Sequence, residues 1–227
     1  STFTPSGMTL SGKYNTGVIS IGGMASQGLK SLARQWEFAE ESALKHNNQI
    51  SRNNWRVLMS WHIAETRDQA RAEAKDGLFR HNNEYSTAAL NPIDGKIFKT
   101  PDEAIDSTAF SEDSTAVIGT PDDLIHKIQE MIEITGGFGA VIGFAHDWAN
   151  RENTKKSWDL VARYVIPAIN SMLDDYRDSY NFVINNRDTW ARAKDARFKN
   201  VAQHESAAKV METEGLEGKK SNNNSDY

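Results

Sequence analysis

Cysteine is absent from this chain of 227 residues. Its absence excludes disulfide frameworks, thiolate metal sites, iron–sulfur clusters and cysteine nucleophiles. It is compatible with a reducing compartment, so we expect a cytoplasmic protein. The sequence opens at Ser1 with no basic segment followed by an apolar one, and secretion is therefore not expected. A start at Ser rather than Met predicts a processed or incomplete polypeptide.

Long apolar runs are also missing. No stretch approaches the ~18 apolar residues that a membrane-spanning helix requires, so we expect no membrane association. The formal net charge is −5, which gives no electrostatic basis for binding nucleic acid. Hydrophobic residues make up 38% and charged residues 25% of the chain, a balance typical of soluble globular proteins. The length fits one sizeable domain or two small ones.

Short apolar segments bounded by turn residues predict three buried strands, at residues 17–23, 55–64 and 138–145. Elsewhere, apolar residues recur at three- and four-residue steps, which predicts amphipathic helices. These helices are expected at residues 8–14, 27–46, 67–80, 121–135 and 154–175. Strands alternating with helices in this order predict βα units and a parallel sheet.

Turn residues mark two further features of the chain. Thr120-Pro-Asp-Asp123 predicts a helix start, with Thr120 as the N-cap and proline at the first helical position. Pro167 should bend the helix that contains it. Residues 82–115 lack a regular pattern and predict an irregular insertion, with a short helix at 102–110, of the kind that often serves as a lid or binding loop.

The domain organisation follows from this pattern. We expect the α/β domain to cover residues 1–185, and residues 186–227 to form a helical and then disordered polar tail. Three parallel strands do not make a complete fold. A closed (β/α)8 barrel needs about 250 residues, which implies that strands preceding this segment are missing.

Several segments carry a resemblance to a known family. Residues 1–20 combine a Ser/Thr/Gly-rich loop, a helix and a short strand, and three longer matches are RVLMSWHIAETRDQA at 56–70, VIGTPDDL at 117–124 and GGFGAVIGFAHDWAN at 136–150. Together they resemble the bacterial luciferase-like family of flavin-dependent monooxygenases, in its limonene monooxygenase-like branch. The resemblance covers roughly residues 1–175. It implies the C-terminal part of a (β/α)8 TIM barrel, with the N-terminal strands missing.

The resemblance also implies an activity. Members of the family use reduced flavin and O₂ to oxygenate small apolar organic molecules, and the limonene monooxygenase-like branch implies a terpene such as limonene as a candidate substrate. The expected cofactor is FMN, with FAD and F420 as alternatives, and a separate flavin reductase is expected to supply the reduced flavin. A homo- or hetero-oligomer is expected. Two alternatives stay open: a truncated or non-catalytic subunit, and an F420-dependent oxidoreductase of the same fold.

Cofactor-binding candidates lie near the start of the chain. Backbone N–H groups and hydroxyls at a helix N-terminus can hold a phosphate, and the resemblance places the FMN phosphate at Thr4, Ser6 and Gly7. Gly22 follows the first predicted strand, where a glycine allows the backbone to approach a ligand. The alternatives are an ordinary helix cap and a tight strand-to-helix turn.

Polar residues at the ends of the other two strands are the remaining candidates. Ser60 and His62 share the less apolar face of their strand, and His146 and Trp148 follow the last strand. His62 and His146 are candidates for catalysis, and Ser60 and Trp148 for the substrate pocket. The alternative is that the histidines are structural and Trp148 packs on the next helix. The other histidines, His81 among them, are expected on the surface, and no metal site is expected.

Overall fold

Four short segments rich in apolar residues form the strands of one sheet. They are β1 (Val18–Ile21), β2 (Trp55–Ile63), β3 (Val117–Gly119) and β4 (Ala140–Phe144). The computed structural model describes residues 5–21, 28–90, 96–172 and 174–202. The chain groups into two compact units, residues 1–172 and residues 173–227, and the first of them contains the sheet.

All the strand pairs are parallel, and β2 is the central strand. The first part of β2 pairs with β1, where Val18 lies opposite Trp55, and with β4, where Ser60 lies opposite Phe144. The last three residues of β2 pair with β3, where His62 lies opposite Ile118. This confirms the parallel α/β sheet expected from the sequence. The carboxyl ends of β2 and β4 lie side by side, which brings together the segments that follow them.

The two faces of the sheet differ in how far they are covered. Since successive side chains of a strand point to opposite faces, Trp55, Val57 and Met59 share one face, and all three are fully buried. They belong to a core that includes residues of the flanking helices, such as Leu32, Trp36, Leu124, Ile128 and Val161. On the opposite face Ile19 and Phe144 remain 38% and 41% exposed.

Helices account for most of the remaining described residues of the first unit. They are α1 (Pro5–Tyr14), α2 (Gly28–Lys45), α3 (Arg67–Arg80), α4 (Pro101–Ala109), α5 (Pro121–Thr135), α6 (Arg151–Leu160) and α7 (Ile166–Ile169). The expected start of α5 is confirmed: the Thr120 side chain and the Asp123 side chain form a reciprocal capping box. Gly136, with φ of 73°, ends that helix in the left-handed conformation that glycine adopts readily.

Three features differ from the sequence-based expectation. β3 was not expected, because a strand of three residues leaves almost no periodic signal. The region expected to be irregular from residue 82 instead continues α3 as a π-helical segment, His81–Leu90. The helix expected at 154–175 begins earlier, because Asn150 caps α6 by accepting from the Asn153 N–H. It passes through a π-helical turn before Pro167, which lacks an N–H.

The second unit contains α8 (Asp174–Asn185) and α9 (Arg187–Ala202). The disorder expected near the end of the tail falls on residues 203–227, which lie outside the described residues. Among the helices that the structure describes, none combines the length and apolar character required to cross a membrane.

Candidate functional site

The candidate residues at the carboxyl ends of β2 and β4 come together in the fold. Ser60 Oγ lies 2.8 Å from His146 Nε2, within hydrogen-bonding distance, although the two residues are 86 positions apart. The pairing of Ser60 with Phe144 in the sheet accounts for this contact, since His146 follows Phe144 by two residues. Ser60 is 4% exposed, so the hydrogen bond is largely shielded from water.

The imidazole of His146 lies in a stack of three rings. Phe144 and Trp148 each have a ring centroid 4.4 Å from that of His146, and their planes are tilted from it by only 6° and 1°. Two rings cannot both stack closely on one face of an imidazole, so they cover opposite faces. Residues 144, 146 and 148 are alternate positions along the chain, which allows their side chains to lie on one side. The stack and the bond to Ser60 therefore fix the orientation of His146.

Trp148 forms the inner end of this stack rather than the wall of a cavity. It is 4% exposed, and its indole nitrogen has no hydrogen-bond partner among the described residues. The backbone at Trp148 packs directly on α3, because a Cβ added to Gly77 would lie 2.0 Å from the Trp148 carbonyl oxygen. Only glycine fits at that contact.

His81 joins the site although the sequence placed it on the surface. Its ring meets that of His146 edge-on at 4.8 Å between centroids and lies 5.3 Å from that of Tyr85. The Nε2 atom of His81 is buried and lacks a hydrogen-bond partner within the described part of the chain. The expectation of an exposed helix position was wrong, because the π-helical segment that begins at His81 holds the ring against His146.

A cavity of about 380 Å³ opens beside these rings. Pockets of a few hundred cubic ångströms are typical of sites for small organic ligands. The walls come from the end of α3, the π-helical segment and the loop after β4. The lining residues are Gly77, Arg80, His81, Glu84, Tyr85, Phe144, Ala145, His146 and Asp147.

Both histidines at the cavity favour the neutral form. Burial, together with a smaller contribution from His81, lowers the pKa of His146 from 6.5 to about 4, while the Asp147 carboxylate acts in the opposite direction. Burial also lowers the pKa of His81, again against the effect of Asp147. At neutral pH each imidazole therefore offers one N–H donor and one acceptor nitrogen.

His62 forms a second polar pair at the end of β2. Its Nε2 lies 2.9 Å from Glu73 Oε2 on α3, and Glu73 Oε1 accepts a hydrogen bond of 2.8 Å from the Gln69 side chain. His62 is only 3% exposed. A carboxylate that faces Nε2 requires the proton on that nitrogen, which leaves Nδ1 as the acceptor when the ring is neutral. His62 does not line the cavity described above.

The candidates near the start of the chain are only partly described. Ser6 is exposed and Gly7 half-buried in the first turn of α1, which begins at Pro5. Thr4 and Gly22 lie outside the described residues. Among the residues that the structure describes, no group of three or more His, Asp and Glu side chains is arranged to hold a metal ion.

Comparison with known proteins relates the chain to monooxygenases. No family model matches it. It is 36% identical over 188 residues to 4-hydroxyprotoasukamycin monooxygenase of Streptomyces nodosus subsp. asukaensis, covering 81% of this chain and 49% of that protein. It is 32% identical to limonene 1,2-monooxygenase of Rhodococcus erythropolis, covering 81% of this chain and 46% of that protein. The chain thus spans about half the length of these relatives.

Solved structures share the fold over a similar stretch. The oxygenating constituent of 3,6-diketocamphane monooxygenase from Pseudomonas putida, in complex with FMN, aligns with a TM-score of 0.52 at 23% identity, covering 71% of this chain and 45% of that one. A monooxygenase from Streptomyces bottropensis aligns with a TM-score of 0.54 at 16% identity, covering 72% of this chain and 45% of that one. These structures show that the fold is shared, and the sequence relatives show that the chain is homologous to luciferase-like flavin-dependent monooxygenases over about half of their length.

Proposed function

We propose that the chain is part of a flavin-dependent monooxygenase that oxygenates a small apolar organic molecule with reduced flavin and O₂. The observation that carries this proposal is the Ser60–His146 pair, at the carboxyl ends of β2 and β4 and beside a cavity of ligand size. Ligands of parallel α/β folds bind at this edge of the sheet. The similarity to monooxygenases that act on limonene and on 4-hydroxyprotoasukamycin supports the reaction type.

We also propose that the sheet is the C-terminal part of a (β/α)8 barrel. Parallel sheets are normally covered on both faces, yet the face that carries Ile19, Leu58 and Phe144 stays partly exposed within the described residues. In a closed barrel this face would point inward. The coverage of only about half of each relative supports the same proposal.

FMN is the proposed cofactor, supplied in reduced form by a separate reductase. When bound, the reduced flavin supplies the electrons that activate O₂ for transfer of one oxygen atom to the substrate. The first turn of α1 fits a phosphate, because the first N–H groups of a helix have no partner inside it. We assign the phosphate to Thr4, Ser6 and Gly7, with Gly22 close to the flavin.

Two histidines of the described region have proposed roles in proton exchange. His146, neutral and fixed in orientation, can exchange a hydrogen bond with an oxygen-containing group in the cavity through the ring nitrogen that does not face Ser60. The stacked rings of Phe144 and Trp148 cover both faces of His146 and limit the contact of its ring with water. His62 is positioned by Glu73 and is the second candidate for proton exchange.

Flavin titration tests the cofactor assignment. The quenching of flavin fluorescence would be measured with FMN and with riboflavin, which lacks the phosphate. We expect tighter binding of FMN, and we expect the double variant Thr4→Ala, Ser6→Ala to lose that preference while its affinity for riboflavin is unchanged. Equal affinities in the unaltered chain would remove the phosphate assignment. FAD and F420 titrations distinguish the alternative cofactors.

Oxygen transfer requires a separate measurement. Chemically reduced FMN, ¹⁸O₂ and limonene would be incubated with the protein, and incorporation of one ¹⁸O atom into the product would be measured by mass spectrometry. His146→Gln should lower the yield relative to His126→Gln, a change at an exposed histidine of α5. Equal yields from the two variants would show that His146 has no part in the reaction.

A further inference from the structure

The stack of Trp148, His146 and Phe144 has one covered end and one open end. Trp148, at the inner end, is 4% exposed, whereas Phe144, at the outer end, is 41% exposed. His146 covers one face of the Phe144 ring at 4.4 Å. The other face of that ring therefore accounts for much of its exposure, and a flat ring of suitable size could lie against it in the same geometry.

Phe144 is one of the residues that line the cavity. Phe144 is the last residue of β4, on the less covered face of the sheet, opposite Ser60 in register. The rings of His81 and Tyr85 line the same cavity from the π-helical segment. Aromatic rings on two sides of a cavity favour a ligand that is itself flat, because offset stacking and edge-to-face contacts then form together.

Contacts within the chain hold the stack of Trp148, His146 and Phe144 in place without a ligand. Ser60 holds the edge of His146, and His81 packs edge-on against the same ring. At the inner end of the stack, the Trp148 backbone packs closely against Gly77 of α3. A preorganised surface loses little conformational freedom on binding, which improves affinity for a ligand that fits it.

The charges around the cavity select against anions. Among the described residues that line it, Arg80 is cationic, and Glu84 and Asp147 are anionic. His81 and His146 add no positive charge at neutral pH, since burial lowers the pKa of both. A phosphate or carboxylate would therefore meet a net negative wall, whereas an uncharged ring would not.

We propose that the exposed face of Phe144 binds a flat, uncharged, conjugated ring of the organic substrate, as the fourth ring of the stack. This inference rests on the proposed function, in which the cavity receives the molecule to be oxygenated, and it narrows that molecule to one with a planar unsaturated ring. The flavin ring is the competing occupant, and the test below separates the two.

Two probes of ten carbon atoms and one hydroxyl group test the shape preference: flat 2-naphthol and compact, saturated 1-adamantanol. Their binding to the 227-residue chain would be measured by calorimetry without flavin, for the unaltered protein, Phe144→Leu and Phe144→Trp. Since an aromatic pair contributes beyond its buried area, Phe144→Leu should weaken 2-naphthol binding roughly two- to tenfold. Phe144→Trp should retain it, and in Phe144→Leu the affinity for 1-adamantanol should change less than the affinity for 2-naphthol.

Tyr164→Leu is the matched control, because Tyr164 is an exposed ring that does not line the cavity. It should bind 2-naphthol like the unaltered chain, and nuclear Overhauser contacts should link 2-naphthol to the Phe144 ring. The proposal fails if 2-naphthol does not bind or if Phe144→Leu binds it as the unaltered chain does. It also fails if Phe144→Leu lowers the affinities for 2-naphthol and 1-adamantanol equally. It also fails if Phe144→Leu weakens FMN binding but leaves 2-naphthol binding intact. Failure of the oxygen-transfer assay with both limonene and 2-naphthol as substrates would instead refute the proposed reaction.

Discussion

Lowering the pH should weaken the fold through His146. In the unfolded chain this imidazole binds a proton near its ordinary pKa of 6.5, whereas in the folded protein burial lowers the pKa to about 4. Protonation between these two values therefore stabilises the unfolded chain more than the folded one. The stability linked to His146 is complete above about pH 6.5 and is lost as the pH falls toward 4.

The size of the effect follows from the shift in pKa. Each unit of difference between the folded and unfolded states is worth about 1.4 kcal/mol, so the full loss is about 3 kcal/mol. At about pH 5 the protonation linkage gives a loss of about 2 kcal/mol. His146 is partly exposed, so solvent reduces this figure, and about 1–2 kcal/mol is the expected range.

Urea unfolding at about pH 7.5 and pH 5 measures this loss. The drop in unfolding free energy between the two pH values would be compared for the unaltered chain and His146→Gln. Glutamine does not titrate in this range, yet it keeps an amide that can bond to Ser60. The variant should therefore lose about 1–2 kcal/mol less on acidification. His126→Gln controls for the loss of an exposed imidazole away from the cavity.

Equal losses in the unaltered chain and His146→Gln would refute the reasoning. That outcome would mean that His146 binds its proton equally well in both states, and hence that the ring is not held in a buried stack. A larger drop in unfolding free energy for His146→Gln than for the unaltered chain would lead to the same conclusion. His81→Gln should shift the pH dependence in the same direction as His146→Gln, because burial lowers the pKa of His81 too.

Two further substitutions test the packing that supports the site. Gly77→Ala would stabilise a free helix by about 1 kcal/mol, but its Cβ would meet the Trp148 carbonyl. The variant should therefore be destabilised by about 1–3 kcal/mol in urea unfolding, and a stabilised variant would contradict the close packing. Ser157→Ala removes the buried hydroxyl that accepts a hydrogen bond of 2.8 Å from the Ile63 N–H. It should cost about 1–3 kcal/mol, and an unchanged transition midpoint would show that this N–H has another partner.

Much of the fold could be predicted from periodicity and turn residues. The strand segments at 17–23, 55–64 and 138–145 all contain strands of the structure, because uninterrupted or alternating apolar residues mark chain that must be buried. The start of α5 was also predictable, since the Thr120 cap and its proline act within one turn. Periodicity and turn residues did not predict β3 or the π-helical segment. β3 is held by its pairing with β2, a contact distant in sequence, and a π-helix has no sequence pattern of its own.

By itself the sequence determined the alternation of strands and helices, the absence of thiol chemistry, the family and the polar residues that end β2 and β4. Those properties depend on composition and on neighbours within a few positions. The tertiary structure alone decided that Ser60 reaches His146, because this contact depends on the register between β2 and β4. It also decided that the His81 ring contacts that of His146 and that Phe144 stays partly exposed. These features arise where distant segments pack together, and packing is set by the whole fold.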